Sequence, residues 1–150
     1  MYILASAICL LGFASTQKVT DLNNCLKDNN LRMDCSYELS TASPIPTCVY
    51  TQDSKLVAST NISHVQESTF KDRATVTILN GKNICRLNLM GFADDKPKNF
   101  TCTIMQKETV SVSASVERTA LVTCSAYSLQ SSGLLLTLTS LFFLLEAKWQ

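Results

Sequence analysis

From Leu31 to Val116, apolar and polar residues repeatedly alternate with a period of two, broken by short polar clusters. Leu31, Met33, Cys35 and Tyr37 share one face, with Arg32, Asp34 and Ser36 on the other. Cys85, Leu87 and Leu89 alternate with Arg86 and Asn88, and Phe100, Cys102 and Ile104 repeat the pattern. Val110, Val112, Ala114 and Val116 interleave with Ser111, Ser113 and Ser115. Successive side chains of a strand point to opposite faces, so each run predicts a half-buried strand. Helical spacing is sustained nowhere between Gln17 and Cys124. Asn80-Gly81, between "ATVTIL" and "NICRLNLM", is a hairpin signal. Ser43-Pro44 and Lys96-Pro97-Lys98 mark loops. The pattern predicts a single all-β unit of about eight short strands.

Two greasy segments flank this unit. "MYILASAICLLGFAST" is apolar from Ile3 to Ala14 apart from Ser6 and then turns to small residues, the order of a secretory signal peptide. Cleavage before Gln17 is expected, with cleavage after Ala14 the competitor. The new N-terminal Gln17 is then expected to close to pyroglutamate. At the far end, Leu134–Leu145 is only twelve residues long and carries Thr137, Thr139 and Ser140. A spanning helix needs about 20 apolar residues. Small residues (Cys124-Ser125-Ala126), a polar spacer and a short greasy end follow the order of a glycosylphosphatidylinositol attachment signal, whose tail is removed. Small side chains let the transamidase reach the backbone carbonyl, and Cys124 and Ser125 are competing sites within this stretch. Three parts result: signal peptide 1–16, β domain 17–124 and propeptide 125–150. The mature chain is then expected in the outer leaflet of the plasma membrane, facing outward.

Cysteine usage agrees with export. Of seven cysteines, Cys9 leaves with the signal, and Cys25, Cys35, Cys48, Cys85, Cys102 and Cys124 remain. Six cysteines in a secreted chain read as disulfides, with 15 possible connectivities. No CxxC and no Cys/His cluster is present, so no metal site is expected. Cys35 and Cys102 both sit mid-strand on inward faces about 67 residues apart, as in the bond that joins the two sheets of an immunoglobulin sandwich. The Trp such a domain buries on its third strand is missing: the strand reads "IPTCVYT", and Trp149 lies in the tail. Phe100 stands where the corner Tyr usually does, keeping the packing without the hydroxyl. Arg73 with Asp94 or Asp95 is expected to form an ion pair below the sheet.

Formal charge is +1 over 150 residues with no basic stripe, which gives no reason to expect nucleic acid. His64 is the only histidine, in a polar stretch, and no triad order, phosphate loop or ligand spacing accompanies it. The chain is therefore read as no enzyme, without a cofactor. Asn61-Ile62-Ser63 and Asn99-Phe100-Thr101 are glycosylation sequons. Asn61 falls in a polar stretch, and alternation turns Asn99 outward from buried Phe100.

"QKVTDLNNCLKDNNLRMDC", "NFTC" and "ALVTC" resemble the corresponding segments of the Thy-one membrane glycoprotein family, and the likeness runs from signal to tail. It is dense at Gln17–Cys35, moderate around Phe100–Cys102 and Leu121–Cys124, and thin between. The resemblance implies a single variable-like immunoglobulin domain that lacks the core Trp. It also implies bonds Cys35 to Cys102 and Cys25 to Cys124, and a lipid on Cys124, where the anchor takes the α-carboxyl and leaves the sulfur free to pair. Cys48 and Cys85 depart from that pattern, as a third bridge or as two buried thiols; Cys48 shares its face with Tyr50, opposite Ile45, Thr47 and Val49. Mammalian members carry Arg-Leu-Asp where this chain has Arg32-Met33-Asp34, and that tripeptide is linked to integrin binding; an ordinary solvated strand face is the competing reading. The basic run linked to glycosaminoglycans is reduced here to "TQDSKLVA", so heparan sulfate is not expected as a partner. The resulting function is a lipid-anchored surface glycoprotein in adhesion and in modulation of signalling, acting through cell-surface or matrix proteins, integrins among them. A secreted immunoglobulin-domain ligand or receptor subunit is the alternative.

Overall fold

The computed structural model describes residues 16–79 and 81–124. The signal peptide, Asn80 and the C-terminal tail lie outside the described residues. Eight strands follow one another: β1 (Lys18–Lys27), β2 (Asn30–Glu38), β3 (Thr47–Gln52), β4 (Lys55–Ser59), β5 (Ala74–Leu79), β6 (Ile84–Leu89), β7 (Lys98–Met105) and β8 (Thr109–Val116). Short 3-10 turns occupy Ser68–Phe70 and Arg118–Ala120. The strands form two antiparallel four-stranded sheets, ordered β1-β2-β6-β5 and β4-β3-β7-β8. This is an immunoglobulin-type sandwich. β4 adds one strand beside β3 to the seven-strand arrangement; among the described residues the segment after it, 60–73, holds no further strand, only the first 3-10 turn.

Alternation sets the faces. Leu31, Met33, Cys35 and Tyr37 of β2 are buried, as are Cys85, Leu87 and Leu89 of β6 and Phe100, Cys102 and Ile104 of β7. They meet in one core with Tyr50, Val57, Phe92 and Val116. Phe92 and Phe100 pack edge to face, 6.1 Å between ring centroids.

The tight turns are not all where Gly marks them. Lys27 pairs with Asn30 and Gln52 with Lys55, so β1–β2 and β3–β4 are joined by two residues each. Asp28, Asn29, Asp53 and Ser54 all have positive φ, as the twist of a two-residue hairpin requires. The β5–β6 hairpin closes with Leu79 opposite Ile84, and Gly81 (φ 74°) sits in a longer loop.

Two inter-sheet disulfides cross the core. Cys35 is bonded to Cys102, Cα atoms 6.5 Å apart, and Cys48 to Cys85, 6.2 Å apart. Cys48 therefore points inward with Tyr50 and Gln52, leaving Thr47, Val49 and Thr51 on the outer side of β3. The sulfurs of Cys48, Cys85 and Cys102 lie within 4.8 Å of one another, so the second bridge packs against the first. Sulfurs held in disulfides offer no thiolate to a metal. Tyr50 is also fully buried, and its hydroxyl reaches across the sandwich to the carbonyls of Cys85 (3.0 Å) and Met33 (3.3 Å). Burial, with the charge of Asp34 adding to it, pushes the phenol far above its ordinary range, so the group stays a neutral donor.

One expected ion pair is replaced. Arg73 does not meet Asp94 or Asp95; its guanidinium donates to the carbonyls of Met90 and Gly91, both at 3.0 Å for Nη2. Asp94 instead accepts from Gln52 Nε2 at 2.9 Å. The chain turn at Met90–Gly91 leaves carbonyls that a fork of N–H groups satisfies, and the arginine is drawn to them.

Candidate functional site

The C-terminal end of the domain is built onto β1. β1 is an edge strand, with an unpaired row of backbone groups to be covered. Residues 122–124 run parallel to its last residues: Leu26 N–H donates to Val122 O (2.9 Å) and Cys124 N–H to Leu26 O (3.0 Å). Cys25 is bonded to Cys124, Cα atoms 4.9 Å apart. Cys124 is thus held by its backbone and by its sulfur beside the β1–β2 turn. A cavity of about 450 Å³ opens there, lined by Leu26, Lys27, Asp28, Arg32, Thr123 and Cys124. Among the described residues no helix is long and apolar enough to cross a membrane.

Arg32-Met33-Asp34 lies in the middle of β2, between β1 and β6. Met33 is wholly buried. Arg32 and Asp34 lie on the outer face and are paired with each other, Nη2 to Oδ2 at 2.8 Å. Arg86, directly opposite Asp34 on β6, donates Nε to Oδ1 at 2.7 Å and Nη2 to Oδ2 at 2.8 Å. Desolvation of half-buried Asp34 would raise its pKa. The hydrogen bonds and charges of Arg86 and Arg32 outweigh that cost and hold the carboxyl below its usual range. Asp34 is left 17% exposed with two guanidinium groups on it.

No protein-family model matches the chain. Individual proteins do. The Thy-1 membrane glycoprotein of Homo sapiens is 32% identical over 149 residues, covering 94% of this chain and 91% of the human protein. The Thy-1 membrane glycoprotein of Rattus norvegicus is 32% identical over 145 residues (91% of this chain, 89% of the rat protein). That of Gallus gallus is 32% identical over 100 residues (66% and 61%). The chain belongs to the Thy-1 membrane glycoprotein family.

Within this Thy-1-family chain the two sequons stand at opposite ends of the β4-β3-β7-β8 sheet. Asn61 follows the end of β4, and its Oδ1 accepts the Ser63 N–H at 3.0 Å. Asn99 is the second residue of β7 and is exposed; its N–H donates to Asp53 Oδ1 at 3.1 Å in the β3–β4 turn, the end of the sheet away from Asn61. His64 Nδ1 is 2.9 Å from Ser59 Oγ, which also accepts the Asn61 N–H at 3.0 Å. Among the described side-chain hydrogen bonds no carboxylate joins this pair, and its geometry ties a loop. Gln17 is buried, its Nε2 donating to Ile104 O at 3.0 Å.

Two functional neighbours escape a linear reading. Arg86 as clamp of Asp34 depends on strand register. Lys27 beside Cys124 depends on residues 122–124 annealing to β1. Of the two readings open for Cys48 and Cys85, a bridge or two thiols, the structure has the bridge, to which the inward alternation of Cys85 pointed.

Proposed function

We propose that this Thy-1-family protein is a glycosylphosphatidylinositol-anchored glycoprotein of the outer leaflet, with residues 1–16 removed as a signal peptide and 125–150 as the attachment propeptide. The observation that carries the reading is Cys124. It sits at the edge of the folded domain, fixed by Cys25 and by β1, and the next residues in sequence are small, then polar, then greasy. The anchor takes the α-carboxyl of Cys124 while its sulfur stays in the bond. Stable residence in one leaflet needs more than a single acyl chain, which a glycolipid supplies. Asn61 and Asn99 would carry glycans, and Gln17 would close to pyroglutamate, its α-amine attacking the side-chain carbonyl with loss of ammonia.

Such an anchor ends in the outer leaflet, so the protein acts through neighbours, in adhesion and in modulation of their signalling. Arg32 and Asp34 are the proposed contacts for an integrin-type partner. With Arg86 clamping Asp34, they would be read as a fixed charged patch on a sheet. Treating expressing cells with a phosphatidylinositol-specific phospholipase tests the anchor. The protein is expected in the medium. A Thy-1-family chain that stays on the cells after this treatment, in normal amount, would mean that its tail spans the bilayer.

A further inference from the structure

The cavity beside Cys124 holds charged side chains that the attachment reading does not use. We infer that it seats the phosphodiester linking the anchor to the chain, with Lys27 as the main cation and Arg32 as the second; this rests on attachment at Cys124. In an anchor of this class an ethanolamine is joined by an amide to the terminal carbonyl, and its oxygen carries the phosphate. Five bonds separate the Cys124 carbonyl carbon from phosphorus, roughly 6 Å when extended. The Cys124 N–H is bonded to Leu26 O at 3.0 Å, and its sulfur to Cys25, so that carbonyl does not wander from the rim. The phosphate is therefore confined beside Lys27 at an effective concentration of about millimolar or more.

Charge fits as well as reach. Lys27 and Arg32 against Asp28 leave the cavity lining one net positive charge, the complement of a monoanionic diester. Among the described residues Lys27 is exposed and in no ion pair. Arg32 uses Nε and Nη2 on Asp34, and Nη1 has no described hydrogen-bond partner. A diester seated on these groups makes the junction between domain and anchor stiff, so the domain is presented to neighbours at one inclination to the membrane.

The test uses mature protein released from cells by the phospholipase, which leaves the ethanolamine phosphodiester in place, and follows its ³¹P resonance. The inositol keeps a cyclic phosphodiester, formed as its 2-hydroxyl displaces diacylglycerol, and the strained five-membered ring puts that line well downfield of the open ethanolamine diester. In the native protein its line is expected to be as broad as tumbling of the whole domain dictates. Lys27→Glu should narrow it about threefold or more, as for a freely moving group, while Lys27→Arg keeps it broad. Lys27 is a surface residue, and an unchanged amide spectrum shows that each variant is folded. A diester already narrow in the native protein overturns the assignment. So does one that broadens only when phosphatidylcholine vesicles are added, which would give these cations to lipid headgroups. A protein that is not released and carries no phosphorus overturns the attachment reading itself, and the seat with it.

Discussion

Replacing both Cys48 and Cys85 by Ala removes one of the two bonds across the core, and the loss can be worked from the topology. The bond closes a separation of 37 residues lying inside the 67 closed by Cys35–Cys102. The route around the outer bond is 67 less 37, about 30 residues. Two flexible routes in parallel behave as one loop of about 17 residues, whose closure is worth about 3 kcal/mol in the chain-entropy model. Without the outer bond the figure would be nearer 3.8 kcal/mol, so the first disulfide takes about a fifth from the second. Both sulfurs are fully buried, and deleting them leaves space that adds about 1 kcal/mol each. At about 4–8 °C per kcal/mol for a domain of this size, the double variant should unfold at least about 15 °C below the native protein. Near-ultraviolet circular dichroism of phospholipase-released protein measures this, and peptide mapping without reduction checks the bond directly in the native chain. Unfolding within about 5 °C of native, or free alkylatable Cys48 and Cys85 in the native protein, would refute the reasoning.

Asp34→Asn should lower stability at neutral pH by about 1–3 kcal/mol, because Arg86 and Arg32 lose the charge they pair with. The folded pKa of Asp34 is depressed, so its contribution is fully present above the unfolded value and lost as pH falls through the folded one. The gap between native protein and variant should be flat from pH 7 to about 5 and shrink below about pH 4; denaturant melts showing a constant gap down to pH 2 would contradict this. Tyr50→Phe should cost about 1–2 kcal/mol by the same melts, since the hydroxyl reaches Met33 and Cys85 across the sandwich; no loss would mean that those bonds contribute nothing. Asn61→Gln and Asn99→Gln should each raise electrophoretic mobility by one glycan's worth, and a variant that migrates as the native protein marks an empty sequon.

What the chain determines alone is which residues face inward. In β2, β6 and β7 the period of two puts Leu31, Cys35, Leu87 and Cys102 on one side and Arg32, Asp34 and Arg86 on the other, because successive side chains of a strand must alternate. From that alternation and the cysteines, a two-sheet sandwich with Cys35 and Cys102 in its core could be read directly. Partner choice could not. Asp34 meets Arg86 because β2 and β6 are neighbours in a register that sets those two residues opposite, and neither strand encodes its neighbour. Cys48 takes Cys85, one of its five possible partners, because β3 and β6 lie on facing sheets. Arg73 was drawn from Asp94 to the carbonyls of Met90 and Gly91, a demand created only when the backbone turned there. The end of the chain lies along β1 because a bare sheet edge needs hydrogen-bond partners, and that brings Cys124 to Lys27. Facing is a property of adjacent residues, whereas pairing depends on where distant segments are brought, and packing alone sets that.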